Sequence, residues 1–518
     1  MLVDPDKLLL SFRNLTKNIN QEENFASFFH KNFGDEKEGV DYEMWNLPDK
    51  KLIEAKINND RNLITFVNYL KELLLKMGLK GTELMRKHKK RYSLLSTTGF
   101  IQDHKDSKEA SYWETYWVVN GLLFYEMYES TKEILNGLIS MVVEFGFVPK
   151  SNRIYYTQRS NPPFLTLMAY NFILKTSDYD WLQENIEYLE FELTFWIKNR
   201  SIVIEKDKKL HTMFRYSVNC FTPRPESYKS DMELAEELDG KDRKKFFKEI
   251  NSASESGWDI SSRWLNDGDV LDVNVSRVIP VDLNSYLYKN FVCISKLFNM
   301  LGNNSKSIVW RKKAKKLHLA IRKILWNETE GIWFDYDVEL NRGRSQFYLS
   351  NFTPLWAGAF PTRLRYEYGY YASLYIDKYD LIGKYKGCIP DSLQESFQLY
   401  DFPNSHTHLL VMVIEGLKSS LHLGAIKKSN VILVKWMDVV MSCWAETNSI
   451  FDTYNVKEFG QHTSYTEWSE DHTVTIGAFL SVLDSYYTIS ERFISNESFG
   501  RRLNALCFIF NFVAYVVK

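Results

Sequence analysis

Cysteine is scarce and scattered in this chain. Cys220, Cys293, Cys388, Cys443 and Cys507 are the five cysteines among 518 residues, and no two form a C-x-x-C pair. That excludes a disulfide-stapled framework and a zinc-ribbon site. His406-x-His408 is the nearest thing to a metal signal, and it lacks a third ligand at a useful spacing, so no metal is expected. An excess of one charge is missing too. The 65 basic and 66 acidic side chains leave a formal charge of −1, and nothing in that balance favours a nucleic acid. No apolar run reaches the roughly 20 residues of a membrane-spanning helix. The apolar stretch 504–517 reads first as a buried last helix and second as a trimmed anchor, so a membrane partner is not expected. The first ten residues have no basic start leading into an apolar run. No signal peptide is therefore expected, and the implied address is cytoplasmic, with a secreted or membrane-anchored form as the alternative. No Pro/Gly-rich linker divides the chain, and no repeat of 20–50 residues stands out.

What is present suffices for a large core. Hydrophobic residues make up 45% and aromatics 15% of the chain, which excludes disorder. Apolar positions recur at helical spacing in a succession of paired runs. The spacing predicts a helix over 61–77 stopped by Gly78, another over 115–128, and a third from a Ser130-x-x-Glu133 capping box to about Phe145, stopped by Gly146. Helices over 164–175 and 179–198 follow, with Ser177 as the cap between them. Those over 283–301, 306–326, 408–419, 431–446 and 473–489 complete the set. Within 306–326 the basic cluster Arg311-Lys312-Lys313 and Lys315-Lys316 opposes Trp310, Ala314, Leu317, Ile321 and Leu325. It reads as a solvated face over a core stripe, not as a nucleic-acid surface. Strand signals are few, 331–336 being the clearest. The expected organisation is one all-α domain over 61–490, with a helical lead-in over 1–60 packed on it and an apolar tail over 491–518.

The stretch 255–264 breaks this pattern. It holds Glu255, Gly257, Trp258, Asp259, Arg263 and Trp264 with no regular apolar period. Indole faces beside carboxylates suit a sugar, which has apolar C–H faces and a polar rim. A carboxyl held in an apolar place tends to keep its proton, which makes Asp259 the first candidate for a general acid. The competing reading is a structural loop in which Asp259 and Arg263 form an ion pair.

With its neighbours, this stretch resembles the α,α-trehalases of the inverting (α/α)6 type. The resemblance is carried by 255–264, by Gly146-Phe147-Val148-Pro149, and by the run from Arg153 through Arg159-Ser160-Asn161-Pro162-Pro163. Pro223-Arg224-Pro225-Glu226-Ser227-Tyr228, Pro280-Val281-Asp282-Leu283-Asn284, Asn351-Phe352-Thr353-Pro354-Leu355-Trp356-Ala357-Gly358 and Val413-Ile414-Glu415-Gly416-Leu417 agree as well. They span about residues 60–490 in the family's order. The resemblance implies a single (α/α)6 toroid that hydrolyses trehalose, or a related glucoside, without cofactor or metal. Inversion needs one carboxylic acid on the leaving oxygen and one carboxylate activating water on the opposite face, about 6.5–9.5 Å away. It implies Asp259 as the acid and Asp452 as the base. Arg159, Arg224 and Glu226 correspond to sugar-hydroxyl clamps, Trp113 to an aromatic wall, and Glu114 beside it and Gly257 to further substrate-binding positions.

Several family features are altered. Pro-Gly-Gly-Arg-Phe-x-Glu is replaced by 103–109, which puts Asp106 where a binding arginine would fall. The Trp-Asp pair is Trp113-Glu114, the clamp asparagine is Lys150, and Arg-Ser-Gln is Arg159-Ser160-Asn161. Gln-Trp-Asp-x-Pro-x-x-Trp-Ala-Pro reads Leu399-Tyr400-Asp401-Phe402-Pro403-Asn404-Ser405-His406-Thr407-His408. Glu-Lys-Tyr-x-Val is Asp452-Thr453-Tyr454-Asn455-Val456, and 459–472 replaces a glycine-rich lid. Asp452 is one methylene short of glutamate, and Glu458, Glu467 and Glu470 stand nearby as substitutes. Two functions follow: an active trehalase, slowed or shifted in substrate by these changes, or a non-catalytic descendant that binds a sugar or a protein partner in the old cleft.

Overall fold

Among the described residues, twelve helices alternate between two concentric layers. The computed structural model describes residues 3, 5–16, 22–33, 42–49, 60–265, 268–463 and 470–494. After two helices at Pro5–Thr16 and Glu22–Asn32, the chain forms α1 (Arg61–Lys76), α2 (Tyr112–Phe124), α3 (Tyr128–Phe145), α4 (Leu165–Thr176) and α5 (Tyr179–Arg200). A hairpin, β1 (Ser201–Lys206) and β2 (Lys209–Phe214), leads to α6 (Gly240–Ser256). Then come α7 (Val281–Met300), α8 (Asn304–Ile324), α9 (Thr353–Ala357), α10 (Arg365–Lys378), β3 (Asn404–His406), α11 (Thr407–Ser419), α12 (Leu423–Thr447), β4 (Thr453–Asn455) and α13 (Thr473–Ile494).

The packing closes into a ring. α2 touches α4, α4 touches α7, α7 touches α9, α9 touches α11, α11 touches α13, and α13 returns to α2. Outside it, α3, α5, α8, α10 and α12 each lie against ring helices, and α1 packs on α13. This is the (α/α)6 toroid. The layers differ in sequence because they differ in surroundings. α2 is enclosed on all sides, and every residue except Glu114 is buried, so it shows no amphipathic stripe. α8 has one wet side: Trp310, Ala314, Leu317 and Ile321 are buried while Arg311, Lys312, Lys315 and Lys316 are exposed, as the spacing predicted.

The structure corrects several local expectations. Ser130 lies inside α3, which starts at Tyr128, and no capping box forms. Glu133 instead accepts from the Gly99 N–H and Lys80 Nζ, both at 2.8 Å. Ser177 ends α4 in the left-handed region at φ 55°, and Asp178 caps α5 by accepting from the Trp181 N–H at 3.1 Å. The strand expected over 331–336 is two separate two-residue strands, Ile332–Trp333 and Tyr336–Asp337. The hairpin β1–β2 is mostly exposed, so it carries little apolar alternation for sequence to show. The tail 495–518 and Glu467 lie outside the described residues. Among the described residues no helix is long and apolar enough to cross a membrane, and no group of three or more His, Cys, Asp or Glu could hold a metal ion.

The segments before α2, α4, α7, α11 and α13 all deliver chain to the N-terminal ends of ring helices. Residues far apart in sequence therefore gather at one end of the toroid.

Candidate active site

Glu255 and Ser256 are not in a loop; they form the buried last turn of α6, which Gly257 terminates at φ 76°. That conformation suits glycine. Space is not the constraint, because an added Cβ would meet Pro162 and Trp113 only at 3.8–3.9 Å. Asp259 follows at φ 43°. Its side chain is 44% exposed, and Lys150 Nζ and Arg224 Nη1 stand 3.7 and 3.8 Å from its Oδ1.

Two expectations about this stretch therefore fail. Asp259 is not buried against indoles, and it is not paired with Arg263. Trp258 and Trp264 instead lie over the Arg263 guanidinium, each ring centre 4.6 Å away. Arg263 is fully buried and bonded to Asp282 and Asp335. Burial alone would lower its pKa, but the two carboxylates hold it well above the ordinary value. The aromatic pair thus serves a structural cation and leaves the carboxylate at the cleft.

Around Asp259 the clamps are assembled from three segments. Arg159 is 1% exposed, pairs with Glu226, and donates from Nη1 to Asn251 Oδ1 at 3.0 Å. Arg224 and Glu226 sit on and just before the short turn Pro225–Ser227, and Arg224 is tied to the fully buried Asp231. Lys150 donates to Ser254 Oγ at 2.6 Å, and burial pushes its ammonium pKa down. Asn251 went unnoticed in the sequence, although the small polar run 251–256 at the end of a charged helix marks the place.

The other side of the site holds Trp113, Glu114 and Asp452. Asp103 fixes the entry to α2 by accepting from the Ser111 N–H and Oγ at 2.7 and 2.6 Å. Burial raises its carboxyl to about 7. Trp113 then packs edge-on against Phe164 and His408, at 4.9 and 5.2 Å between ring centres. Burial first, and then the charges of Asp103 and Asp452, push the Glu114 carboxyl well above its ordinary value.

Asp452 behaves the opposite way. Burial would raise its carboxyl, but His472, His406 and His408, with Thr453 Oγ1 donating at 2.9 Å, bring it below the ordinary value. Its charge and that of Asp259 both act on Tyr400, whose phenol burial has already raised far above its usual value. Glu114 and Asp452 are thus shifted in opposite directions, Glu114 upward and Asp452 downward.

The substitute bases are differently placed. Glu458 is exposed with Lys386 3.4 Å away, and Glu470 is exposed with Lys105 3.8 Å away. Sequence reasoning missed His472 as a neighbour of Asp452. The ring is buried, and neither of its nitrogens has a partner. Its segment is held by 102–105: the Thr473 N–H donates to Asp103 O at 2.9 Å and the Lys105 N–H to Glu470 O at 3.2 Å. Parts of the two rewritten stretches, 103–105 and 470–472, thus lie against each other. A separate cavity of about 490 Å³ is lined by Tyr69, Gln102, Asn448, Asp471 and the Lys105–Glu470 pair among others, and includes neither Asp259 nor Asp452.

Comparison with known proteins agrees with this architecture. The trehalase family model matches residues 2–470. The trehalase of Homo sapiens is 34% identical over 496 residues, covering 93% of this chain and 84% of that protein. The trehalase of Tenebrio molitor is 31% identical over 501 residues, covering 94% and 90%. Among solved structures, neutral trehalase Nth1 from Saccharomyces cerevisiae superposes with a TM-score of 0.61 at 19% identity, covering 75% of this chain and 73% of that one. A GH63 mannosylglycerate hydrolase from Thermus thermophilus, in complex with glucose, superposes at 0.51 with 12% identity, covering 81% and 99%. At those identities the two structures speak for the fold.

Proposed function

The chain belongs to the trehalase family, and from that premise we propose that Asp259 and Asp452 are the acid and base with which it hydrolyses α,α-trehalose to two glucose molecules. Asp452 takes a proton from water as that water attacks one anomeric carbon. Asp259 gives a proton to the bridging oxygen as the C–O bond breaks on the other face. The attacked glucose leaves inverted, as β-glucose, and the other leaves as α-glucose. Arg159, Arg224 and Glu226 bind and orient hydroxyls through charged hydrogen bonds, Trp113 walls the site, and Glu114 bonds a hydroxyl.

The observation that carries this reading is the setting of Asp452: a half-buried carboxyl that accepts from Thr453 Oγ1 at 2.9 Å and lies among His406, His408 and His472, which together bring it below its ordinary value, the direction a general base requires. The test is glucose release from trehalose by the purified protein beside its Asp259→Asn variant. Asparagine tolerates the left-handed backbone at this position, and the exposed side chain carries no packing. The parent should release glucose, and the variant should lose about 10²–10⁴-fold in rate with an unchanged melting temperature. Equal rates would make Asp259 a bystander.

A further inference from the structure

Asp391 and His406 have no part in the acid–base chemistry just described, yet they are built into its floor. His406 Nδ1 lies 2.5 Å from Asp391 Oδ2, and both side chains are buried, at 1% and 0% exposure. The backbone N–H of His406 donates to Asp391 Oδ1 at 2.9 Å, so one carboxylate grips both the ring and the chain of the same residue. Tyr400 covers the ring face, parallel to within 3° at 3.9 Å. What remains is Nε2, buried and without a hydrogen-bond partner. Buried ring nitrogens are ordinarily bonded, and a carboxylate on one nitrogen of a histidine fixes the role of the other.

The position of that ring gives it a use. His406 ends β3, where it pairs with Thr453 of β4, the residue next to Asp452. Thr453 Oγ1 holds the Asp452 carboxylate, and the N–H after His406 donates to the Asp452 carbonyl at 3.3 Å. The charged and titratable groups around the imidazole are Asp391, with Asp401 beyond it, Tyr400 on its face, His408 at 5.5 Å between ring centres, and Asp452 and Asp259 through their charges. His472 acts on the same Asp452. Position 406 is also where the family signature carries tryptophan, an indole with no charge to offer.

We propose that His406 is a positioning residue for Asp452, held by Asp391 so that Nε2 carries a hydrogen and forms the fixed positive end of the pair beside the base. This rests on Asp452 being that base. When the pair holds two protons, Nε2 carries one of them whether the shared proton sits on Nδ1 or on Asp391. The pair is then neutral overall, with its positive end at Nε2. Burial opposes the charge on the ring, but Asp391 first, and then Asp452 and Asp259, more than reverse it, so His406 holds its proton to a higher pH than an ordinary histidine. A positive end there favours the ionised form of Asp452 and lets the base work at lower pH. Removing it should move the acid limb of the activity profile upward.

Two measurements test this. The first is kcat/KM on trehalose against pH for the parent, His406→Gln and Asp391→Asn. The second needs no activity: NMR of 13C-labelled histidine follows the His406 ring, assigned by its loss in His406→Gln, in the parent, Asp391→Asn and Asp452→Asn. The acid limb is expected to rise by about one pH unit in both of the first two variants. The His406 ring is expected to lose its proton at lower pH in Asp391→Asn and in Asp452→Asn than in the parent. A structural role alone predicts lower activity and stability with the acid limb in place, and that result overturns the proposal. So does a ring titration that Asp452→Asn leaves unmoved. Should Asp391→Asn not fold, His406→Gln and Asp452→Asn decide without it. If Asp452→Asn is as active as the parent, the base assignment fails, and the ring titration still reports whether His406 answers to that carboxylate.

Discussion

Arg224 presents one nitrogen to Asp259 because Asp231 holds the rest of the guanidinium. Nη1 stands 3.8 Å from Asp259 Oδ1, while Nε and Nη2 donate to Asp231 at 3.1 and 2.7 Å. Asp231 also accepts the backbone N–H of Arg224 at 2.7 Å and is fully buried. A planar fork anchored on one edge has little freedom on the other, so the orientation of this clamp is set before any sugar arrives.

Asp231→Asn keeps the volume and removes half of the anchor. The expected result is a loss of about 10–100-fold in kcat/KM on trehalose, with Asp259 untouched. Arg224→Lys should lose at least as much, since an ammonium cannot form the fork. Steady-state kinetics check both, and changes below about twofold would take Arg224 out of substrate orientation.

Asp452 carries its carboxylate one methylene nearer the backbone than a glutamate would, and we propose that reach limits its rate. One methylene costs about 1.5 Å, and displacements near 1 Å can cost about a hundredfold in rate. Asp452→Glu should therefore raise turnover of trehalose, and Asp452→Asn should lower it by about 10²–10⁴-fold. Glucose release measures both. No glucose from the parent or either variant would instead support a sugar-binding protein that has lost catalysis.

Glu192 sets a pH dependence of stability. Tyr112 Oη donates to its Oε1 at 2.6 Å, its Oε2 has no partner, and burial raises its carboxyl to about 8 from an ordinary 4.5. Between those two values the unfolded chain has given up this proton and the folded chain has kept it. The unfolded state then binds fewer protons, so this group makes stability fall as pH rises through that window. Glu192→Gln keeps an acceptor for Tyr112 and removes the slope. Urea unfolding should show the variant more stable than the parent at pH 8, by on the order of 3–5 kcal/mol, with the difference vanishing near pH 4.5. A constant difference across that range would contradict the assignment.

Glu255 is a buried anion with a single cation. Arg200 donates to it from Nε and Nη2, both at 2.7 Å, and the Ser160 N–H donates at 3.1 Å. Glu255→Gln leaves the largely buried Arg200 without its counter-charge. The expected cost is about 3–5 kcal/mol in urea unfolding, with a loss of activity because the 146–163 segment is held by the same carboxylate. A cost below about 1 kcal/mol would mean that water reaches the guanidinium.

The sequence by itself determined ten of the helices α1–α13, but not α6, α9 or α10. The stripe of Trp310, Ala314, Leu317 and Ile321 predicts the face that α8 buries, and Gly146 predicts where α3 stops, because periodicity and capping are local. The distinctive runs around Arg159, Arg224 and Asp259 were legible in the same way, as residues in order. Tertiary structure alone decided who meets whom. Arg263 lies four residues from Asp259 in the chain, but its carboxylates come from Asp282 and Asp335. Asp259 is left facing Lys150 and Arg224, neither of them close in sequence. His406 looked like half of a metal site with His408 and is instead the partner of Asp391, while His472 comes beside Asp452 only because 470–473 is pinned by 102–105. Charge pairing acts through space at a few ångströms, between segments that the ring brings together from its far corners, and no local pattern encodes that distance.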